Sequence, residues 1–382
     1  VRSAPEPVPV PAEIVSPASQ PPSDVHTSRK IDVVRRAADA ARRRDPRVTQ
    51  VTCLYRDTEQ KVWVADSDGR FVPDLRVLVT LHVTAVAKER DRVCTGSESV
   101  SETRGFELFD LLPPEQVGDE AARQAVLQLG ARPAPAGTFT VVLSSKAGGT
   151  MVHEACGHGL EADFIEKGMS VYTGKLGQQV ASPLVSVVDD GRLPHRRGTS
   201  AVDDEGSATT RVVLIENGML RGYLHSRRTA RHFGTVPTGN GRRESYRHLP
   251  IPRMRNTLIL PGNDDPASIL AGVRDGIFVC RMGGGEVDVA TGNFVFNCSE
   301  AYRIRDGRLA EPVRDATLVG NGPEVLSTID AIGSDLGFGV GTCGKEAQGV
   351  PVSDAQPTLR IPSIVVGGLQ AESAPPGEGR RE

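Results

Sequence analysis

No run of apolar residues in this sequence approaches the length of about 18 needed to cross a bilayer. The first residues also lack a basic segment followed by an apolar one, so no secretory leader is expected and the expected location is cytoplasmic. Neither sign of charge is in excess: 45 basic residues stand against 48 acidic ones. A dedicated nucleic-acid binder carries a basic footprint, and this balance excludes that class. Arg35-Arg36, Arg42-Arg43-Arg44 and Arg242-Arg243 read as solvated faces or local ion pairs. The six cysteines (Cys53, Cys94, Cys156, Cys280, Cys298 and Cys343) follow no regular spacing. In a chain of this size that pattern fits reduced thiols and not a disulfide framework. No repeat of fixed period is present. The single tryptophan, Trp63, is expected to pack against a sheet. The sequence opens on Val1 and not on Met.

What the chain does contain is an α+β pattern in two parts. Residues 1–27 are Pro-rich and aperiodic, which suits an extended, partly polyproline segment. From Ser28 to Arg44 the spacing of Ile31, Val34, Ala38 and Ala41 predicts an amphipathic helix stopped by Asp45-Pro46. Val48–Tyr55, Lys61–Ala65 and Arg76–Val86 read as strands of an antiparallel meander, with turns at Asp57-Thr58-Glu59 and Asp66-Ser67-Asp68-Gly69. Val77, Val79, Leu81 and Val83 share one face, with His82 on the other. Glu115–Leu129 reads as a second helix, and the stretch from Ala131 to Pro135 as a linker. The N-terminal mixed α/β domain is placed at residues 28–134, a mostly β C-terminal metal-binding domain at 135–370, and a tail at 371–382. In the second part Asn217-Gly218 and Asp306-Gly307 are hairpin turns. Helices are expected at Pro266–Val273 and Glu324–Ile332, and strands at Val287–Ala290, Thr358–Ile361 and Ser363–Val366.

The chemistry concentrates in Gly148-Gly149-Thr150-Met151-Val152-His153-Glu154-Ala155-Cys156-Gly157-His158. Zinc peptidases often carry His-Glu-x-x-His, where residues i and i+4 share a helix face and Glu is the base. Here the second histidine comes one residue late. Five residues of a regular α-helix advance about 500°, so the two imidazoles would point roughly 140° apart. Chelation of one ion therefore requires a distortion such as a π-bulge, which recurs at functional sites. Gly157 and Gly159 are poor helix formers where the turn must loosen. A catalytic zinc takes three protein ligands and one open position. His153 and His158 supply two; Glu161, Asp163, Cys156, Cys280, Cys298 and Cys343 are all open as the third. Glu154, beside the first ligand, suits a general base. Gly283-Gly284-Gly285 is no phosphate loop, because it lacks the Gly-Lys pattern and a following helix. Glycines before a strand, Gly284 and Gly285 among them, instead let a substrate backbone approach and add to the strand edge.

These motifs, together with Val188-Asp189-Asp190-Gly191, Asp203-Asp204-Glu205-Gly206, Ile215-Glu216-Asn217-Gly218, the stretch from Gly239 to Tyr246, Gly283 to Asp288 and Gly341-Thr342-Cys343-Gly344-Lys345-Glu346, resemble the TldD/PmbA (TldD/TldE) metallopeptidase family. The resemblance runs from about Arg29 to about Gly368, in the family's order, and favours the TldD-type catalytic subunit, which keeps His-Glu-x-x-x-His. It implies Cys343 as the third ligand, one zinc per chain, and Glu154 as general base on a zinc-bound water. It also implies hydrolysis of unfolded or extended peptides by a heterodimer with a TldE/PmbA-type subunit, or by a homodimer, and an N-terminal domain incomplete relative to the family. The Gly239 to Arg255 loop, with Gly241, Arg242, Tyr246 and His248, is expected over the cleft. A non-catalytic scaffold of the gyrase-modulator type is the alternative, and the intact His153, Glu154, His158 and Cys343 set argues against it.

Overall fold

The computed structural model describes residues 18–67 and 69–368. The first seventeen prolyl-rich positions and the 371–382 tail lie outside the described residues. Residues 18–26 are not free extended chain: Pro22–Asp24 forms a 3-10 turn with Pro22 buried, and the backbone N–H groups of Ser19 and Gln20 both donate to the Glu107 carboxylate.

The N-terminal part is a three-stranded antiparallel sheet, β1 (Val48–Ala65), β2 (Phe71–Glu89) and β3 (Arg92–Glu102), with two helices on one face. α1 spans Thr27–Arg44 and α2 spans Pro114–Gly130. Val79, Leu81, Val83, Ala85 and Ala87 alternate along β2 and are fully buried against the helices, as period-2 patterning requires. His82 sits on the opposite face, bonded to Ser99 and Thr84. The face of α1 that packs inward carries Val33, Ala37 and Ala41; Ile31 is 53% exposed, so the predicted stripe was rotated by one position. Asp57-Thr58-Glu59 is no turn. It lies mid-strand opposite Val79, Leu78 and Val77, and Lys30 pairs with Asp57 at 2.6 Å. β1 is an edge strand, where charge is tolerated and discourages further pairing. Trp63 is 60% exposed near the hairpin end, beyond the reach of the helices, and does not pack the sheet.

The stretch Ala131–Pro135 is docked and does not act as a loose linker: Arg132–Pro133 pairs in parallel with Val313 and Arg314, and Ala131 and Ala134 are buried. Two β systems follow. In the first, β4 (Gly137–Leu143), β8 (Asp275–Val287), β9 (Asn293–Arg305), β11 (Thr317–Asn321) and β14 (Leu359–Gly367) pair in the cyclic order β8-β4-β14-β11-β9-β8. This barrel is extended by β10 (Arg308–Arg314) through the Asp306-Gly307 turn, both residues having positive φ. β8 thus begins twelve residues earlier than Val287, and the triple glycine lies inside it. The second system is an open sheet in which β5 (Val187–Asp190), β6 (Arg211–Glu216), β7 (Asn256–Ile259), β12 (Gly337–Lys345) and β13 (Gln348–Gln356) take the order β12-β13-β7-β5-β6. Asn217-Gly218 makes its hairpin at φ 48° and 81°, the left-handed pair a two-residue turn needs. The predicted helices at Pro266 and Glu324 occur as Pro266–Ala271 and Gly322–Thr328. One core runs through both β systems, including Phe294, Phe296, Leu143, Ile215 and Val352. No described helix is long and apolar enough to cross a membrane.

The contact between α1 and α2 offers a test. A Cβ on Gly118 would lie 2.0 Å from the Ala37 carbonyl oxygen. Alanine is the better helix former, yet Gly118→Ala is expected to destabilise by about 1–3 kcal/mol through overpacking. Urea unfolding of the two proteins checks this, and a stabilised variant would contradict it.

Candidate metal centre

The segment after β4 is built to depart from a regular helix. Gly148 and Gly149 both take left-handed φ, 78° and 77°, and a Cβ on Gly149 would lie 2.3 Å from the Ala355 nitrogen. One α-turn, Thr150–Val152, leads into a π-helical turn over His153–Gly157, in which the His158 N–H reaches back to the His153 carbonyl. A 3-10 turn, His158–Leu160, closes the segment. Backbone carbonyls displaced by these changes find side-chain donors. Tyr172 Oη donates to the Ala155 oxygen at 2.8 Å and Ser170 Oγ to the Gly159 oxygen at 2.6 Å, both within the interior. The two glycines of the motif serve close approach: a Cβ on Gly157 would lie 2.0 Å from Met254 Sδ, and one on Gly159 2.7 Å from the Tyr172 ring.

The extra residue in the turn brings the imidazoles of His153 and His158 to a 5.0 Å centroid separation, nearly perpendicular at 86°. β12 delivers Cys343 to the same point, with its Sγ 3.6 Å from His158 Nε2. One ligand atom from each of the three residues lies within 4.8 Å of the others, and all three side chains are buried. The remaining ring nitrogens are spoken for. His153 Nδ1 bonds Asp354 Oδ1 at 2.8 Å and His158 Nδ1 bonds Glu161 Oε2 at 3.1 Å. A carboxylate behind each imidazole fixes its tautomer and raises its basicity, the usual support for a metal-ligating histidine. Glu161 is itself held by Lys345 Nζ at 3.0 Å, which also reaches Asp163 at 2.7 Å and the Pro252 carbonyl.

The electrostatics follow. Burial pushes the Cys343 thiol up, but His153 and His158 outweigh it and bring the pKa down to about 5, which favours the thiolate. Burial lowers the pKa of His158, yet Glu161 and Cys343 raise it to about 9; His153 is raised in the same way by Asp354. Burial alone would raise Glu161, which Lys345 and His158 hold down at about 2. Two imidazole nitrogens and a thiolate, converging and backed by fixed carboxylates, are a donor set that fits a borderline-soft divalent metal.

Against known proteins the chain shows two consecutive matches. The family model for the PmbA/TldA metallopeptidase central domain matches residues 20–129, and that for the C-terminal domain matches residues 136–368. The chain belongs to the PmbA/TldD metallopeptidase family. A relative described as a metalloprotease TldD homolog from Haemophilus influenzae is 42% identical over 92% of this chain and 74% of its own length. A metalloprotease from Methanothermobacter thermautotrophicus is 38% identical over 92% of this chain and 76% of its own. Among solved structures, a Thermotoga maritima protein provisionally named a modulator of a DNA gyrase superposes with TM-score 0.79 at 25% identity, covering 92% of this chain and 77% of its own. TldE from Thermococcus kodakarensis shares the fold at TM-score 0.73 and 18% identity, covering 96% of this chain and 80% of its own. As a metallopeptidase the chain is a hydrolase that works with a metal.

The structure also sorts the remaining predicted residues. His153, Glu154, Gly284 and Gly285 line one cleft of about 470 Å³, together with Arg281, Gly339 and Gly341. Gly241, Arg242, Tyr246 and His248 are not among the residues lining it. Gly241–Arg242 is a buried two-residue strand paired with Ile251–Pro252, and the Arg242 guanidinium donates to the Met254 and Pro351 carbonyls. Tyr246 is 78% exposed, and His248 bonds Ser245 within the loop. The loop therefore braces β13 and does not cover the cleft. Cys156 is fully buried, its thiol donating to the Val152 carbonyl, and Cys298 packs in the core. Sequence reasoning missed Asp354, 201 residues from its histidine, for which only strand alternation along β13 gives a signal. Lys345 lay inside the Gly-Thr-Cys-Gly-Lys motif, and its spacing from Cys343 puts both on one face of β12.

The raised histidines fix the pH response. A metal must displace their protons, so affinity falls as pH drops below the raised values and rises until both rings are neutral. Zinc affinity measured by chelator competition is expected to keep rising up to about pH 9, the His158 value. A plateau already at about pH 7.5, one unit above the ordinary imidazole pKa of about 6.5, would contradict this electrostatic account.

Proposed function

We propose that this protein is a zinc-dependent peptidase of extended, unfolded chains, working with a TldE/PmbA-type partner subunit. The observation that carries the reading is the convergence of His153, His158 and Cys343 within 4.8 Å beside an unpaired Glu154 at the wall of an open cleft. Zinc held by those three residues would supply a Lewis acid that polarises a peptide carbonyl and acidifies water. Glu154 is adjacent to His153 in the chain, and its carboxylate has no hydrogen-bond partner among the described residues. Burial, only partly offset by the nearby histidines, raises its pKa, which makes it a better proton acceptor near neutral pH. Glu154 takes a proton from the attacking water as the C–O bond forms, and returns it to the amine nitrogen as the C–N bond breaks. Asp354 and Glu161 keep both imidazoles aimed throughout.

Substrate conformation is argued from β8. Its ladder to β4 covers only Gly276–Val279, and from Arg281 to Val287 it pairs with β9 alone among the described strands. A Cβ on Gly284 would meet nothing within 4 Å, so a peptide backbone can approach there. Pairing along such an edge reads backbone and tolerates varied side chains, but it requires a chain whose own N–H and C=O groups are unpaired.

Zinc content and peptide cleavage, each measured with and without the partner subunit, test this. Glu154→Gln is expected to lose at least about 10²-fold in turnover while retaining zinc. Cys343→Ala is expected to lose the metal, whereas Cys156→Ala and Cys298→Ala keep it. A sequence offered as a free peptide should be cut, and the same sequence as a buried strand of a stable domain should survive. Loss of zinc from folded Glu154→Gln, or equal cleavage of the two substrates, would overturn the reading.

A further inference from the structure

A second cavity, of about 490 Å³, lies on the other side of β12 from Cys343, between the β1–β2 face and the β12–β13 hairpin. Its wall includes Arg56, Arg76, Arg197, Arg242, Arg243 and Arg255. Three of these are satisfied from within the chain. Arg76 pairs with Asp74 and Asp204, Arg242 is spent on two carbonyls, and Arg255 donates to Gly239, Gly198 and Ser200. The other three differ: among the described residues no carboxylate pairs with the side chain of Arg56, Arg197 or Arg243. Glu244, also in the wall, accepts from the Gly349 N–H.

Arg197 is the most telling. Its Nε is buried without a hydrogen-bond partner, and one terminal nitrogen donates to Thr342 Oγ1 at 3.1 Å. Burial lowers its pKa, and the neighbouring charge acting on it is another cation, Arg56. A partly buried guanidinium whose Nε has no partner, set beside a like charge, is disfavoured unless an anion joins them. The position is rigid: the Arg197 N–H donates to Ser353 Oγ, the Gly198 N–H donates to Asn256 Oδ1, and Arg196 stacks 3.6 Å over the Phe338 ring. Thr342 and Phe338 belong to the wall of the metal cleft, and Thr342 lines both cavities. Thr342 precedes Cys343, so Arg197 grips the strand that carries the proposed metal ligand, from its opposite face.

We propose that Arg197, with Arg56 and Arg243, forms a subsite for a carboxylate of the bound peptide, either its C-terminus or an Asp or Glu side chain a few residues from the scissile bond. The inference rests on the peptidase reading for its ligand. Arginine binds a carboxylate through charge-assisted N–H···O bonds, and Arg197, held by Thr342, lines the cavity beside Arg56 and Arg243. The anion would neutralise cations that no described residue of the chain pairs, and it would select acidic peptides from a cleft that otherwise reads only backbone.

The test is binding, so that it does not depend on turnover. Zinc-loaded Glu154→Gln protein is titrated with short fluorescent peptides in matched pairs: C-terminal acid against amide, and an internal Asp against Asn. One acidic member is expected to bind about tenfold tighter or more, and the pair that shows it identifies the source of the carboxylate. In Arg197→Met, added to the same background, the preference should vanish, and Arg56→Gln, at an exposed position, should reduce it. Arg308→Met, an exposed charge on β10, should preserve it. No preference in either pair, or a preference that survives Arg197→Met with folding and zinc content intact, would overturn the subsite. A single-stranded oligonucleotide whose binding depended equally on Arg197 would overturn its assignment to carboxylate. If the wild-type protein cut none of these peptides while the binding preference stood, the peptidase reading alone would fail.

Discussion

One residue too many between His153 and His158 sets the geometry on which the site depends. A regular helix would splay the two imidazoles; the π-turn absorbs the extra residue and returns both to one side. A π-turn weakens its own backbone bonding, so it persists only where the surroundings hold it. Tyr172 and Ser170 supply hydroxyls to displaced carbonyls, Met254 packs into the space left by Gly157, and Gly322 lets the Gly322–Thr328 helix approach the Ala155 carbonyl. Residues far along the chain thus hold the turn in its distorted form.

The two β systems have separable tasks around that turn. The open sheet brings in Cys343 and Lys345 from β12 and Asp354 from β13. The barrel contributes the β8 edge across the cleft. The first supplies the proposed thiolate ligand and the carboxylate behind His153, the second a surface along which a backbone can lie. The charge arrangement is coherent with this division. Carboxylates stand behind the ring nitrogens that face away from the centre, the thiolate stands in front, and Lys345 and Arg253 lie behind Glu161.

Much of this was legible in the sequence, and the reasons differ by residue. The His153–His158 spacing is local, so geometry alone demanded a distortion there. β2 announced its buried face by alternation, and Asn217-Gly218 its turn by backbone chemistry. The third candidate ligand was not legible from spacing, because Cys343 meets the histidines through tertiary pairing, and four cysteines and two acids in the chain were equal on local grounds. Failures came where a residue's environment is set by position in a sheet. Asp57-Thr58-Glu59 looked like a turn because an edge strand tolerates charge, and Trp63 looked like core because its distance from the helices is not written locally. Arg242 looked like a ligand donor because a buried guanidinium bracing carbonyls has the same composition as one waiting for substrate.

The central claim is that the distorted turn and β12 together make one chelate of two imidazoles and one thiolate. X-ray absorption at the zinc edge on the zinc-loaded protein tests it directly. The account predicts two imidazole nitrogens at about 2.0–2.1 Å and a single sulfur at about 2.3 Å, with the sulfur shell lost in Cys343→Ala. A first shell of light atoms only in the wild-type protein would contradict it.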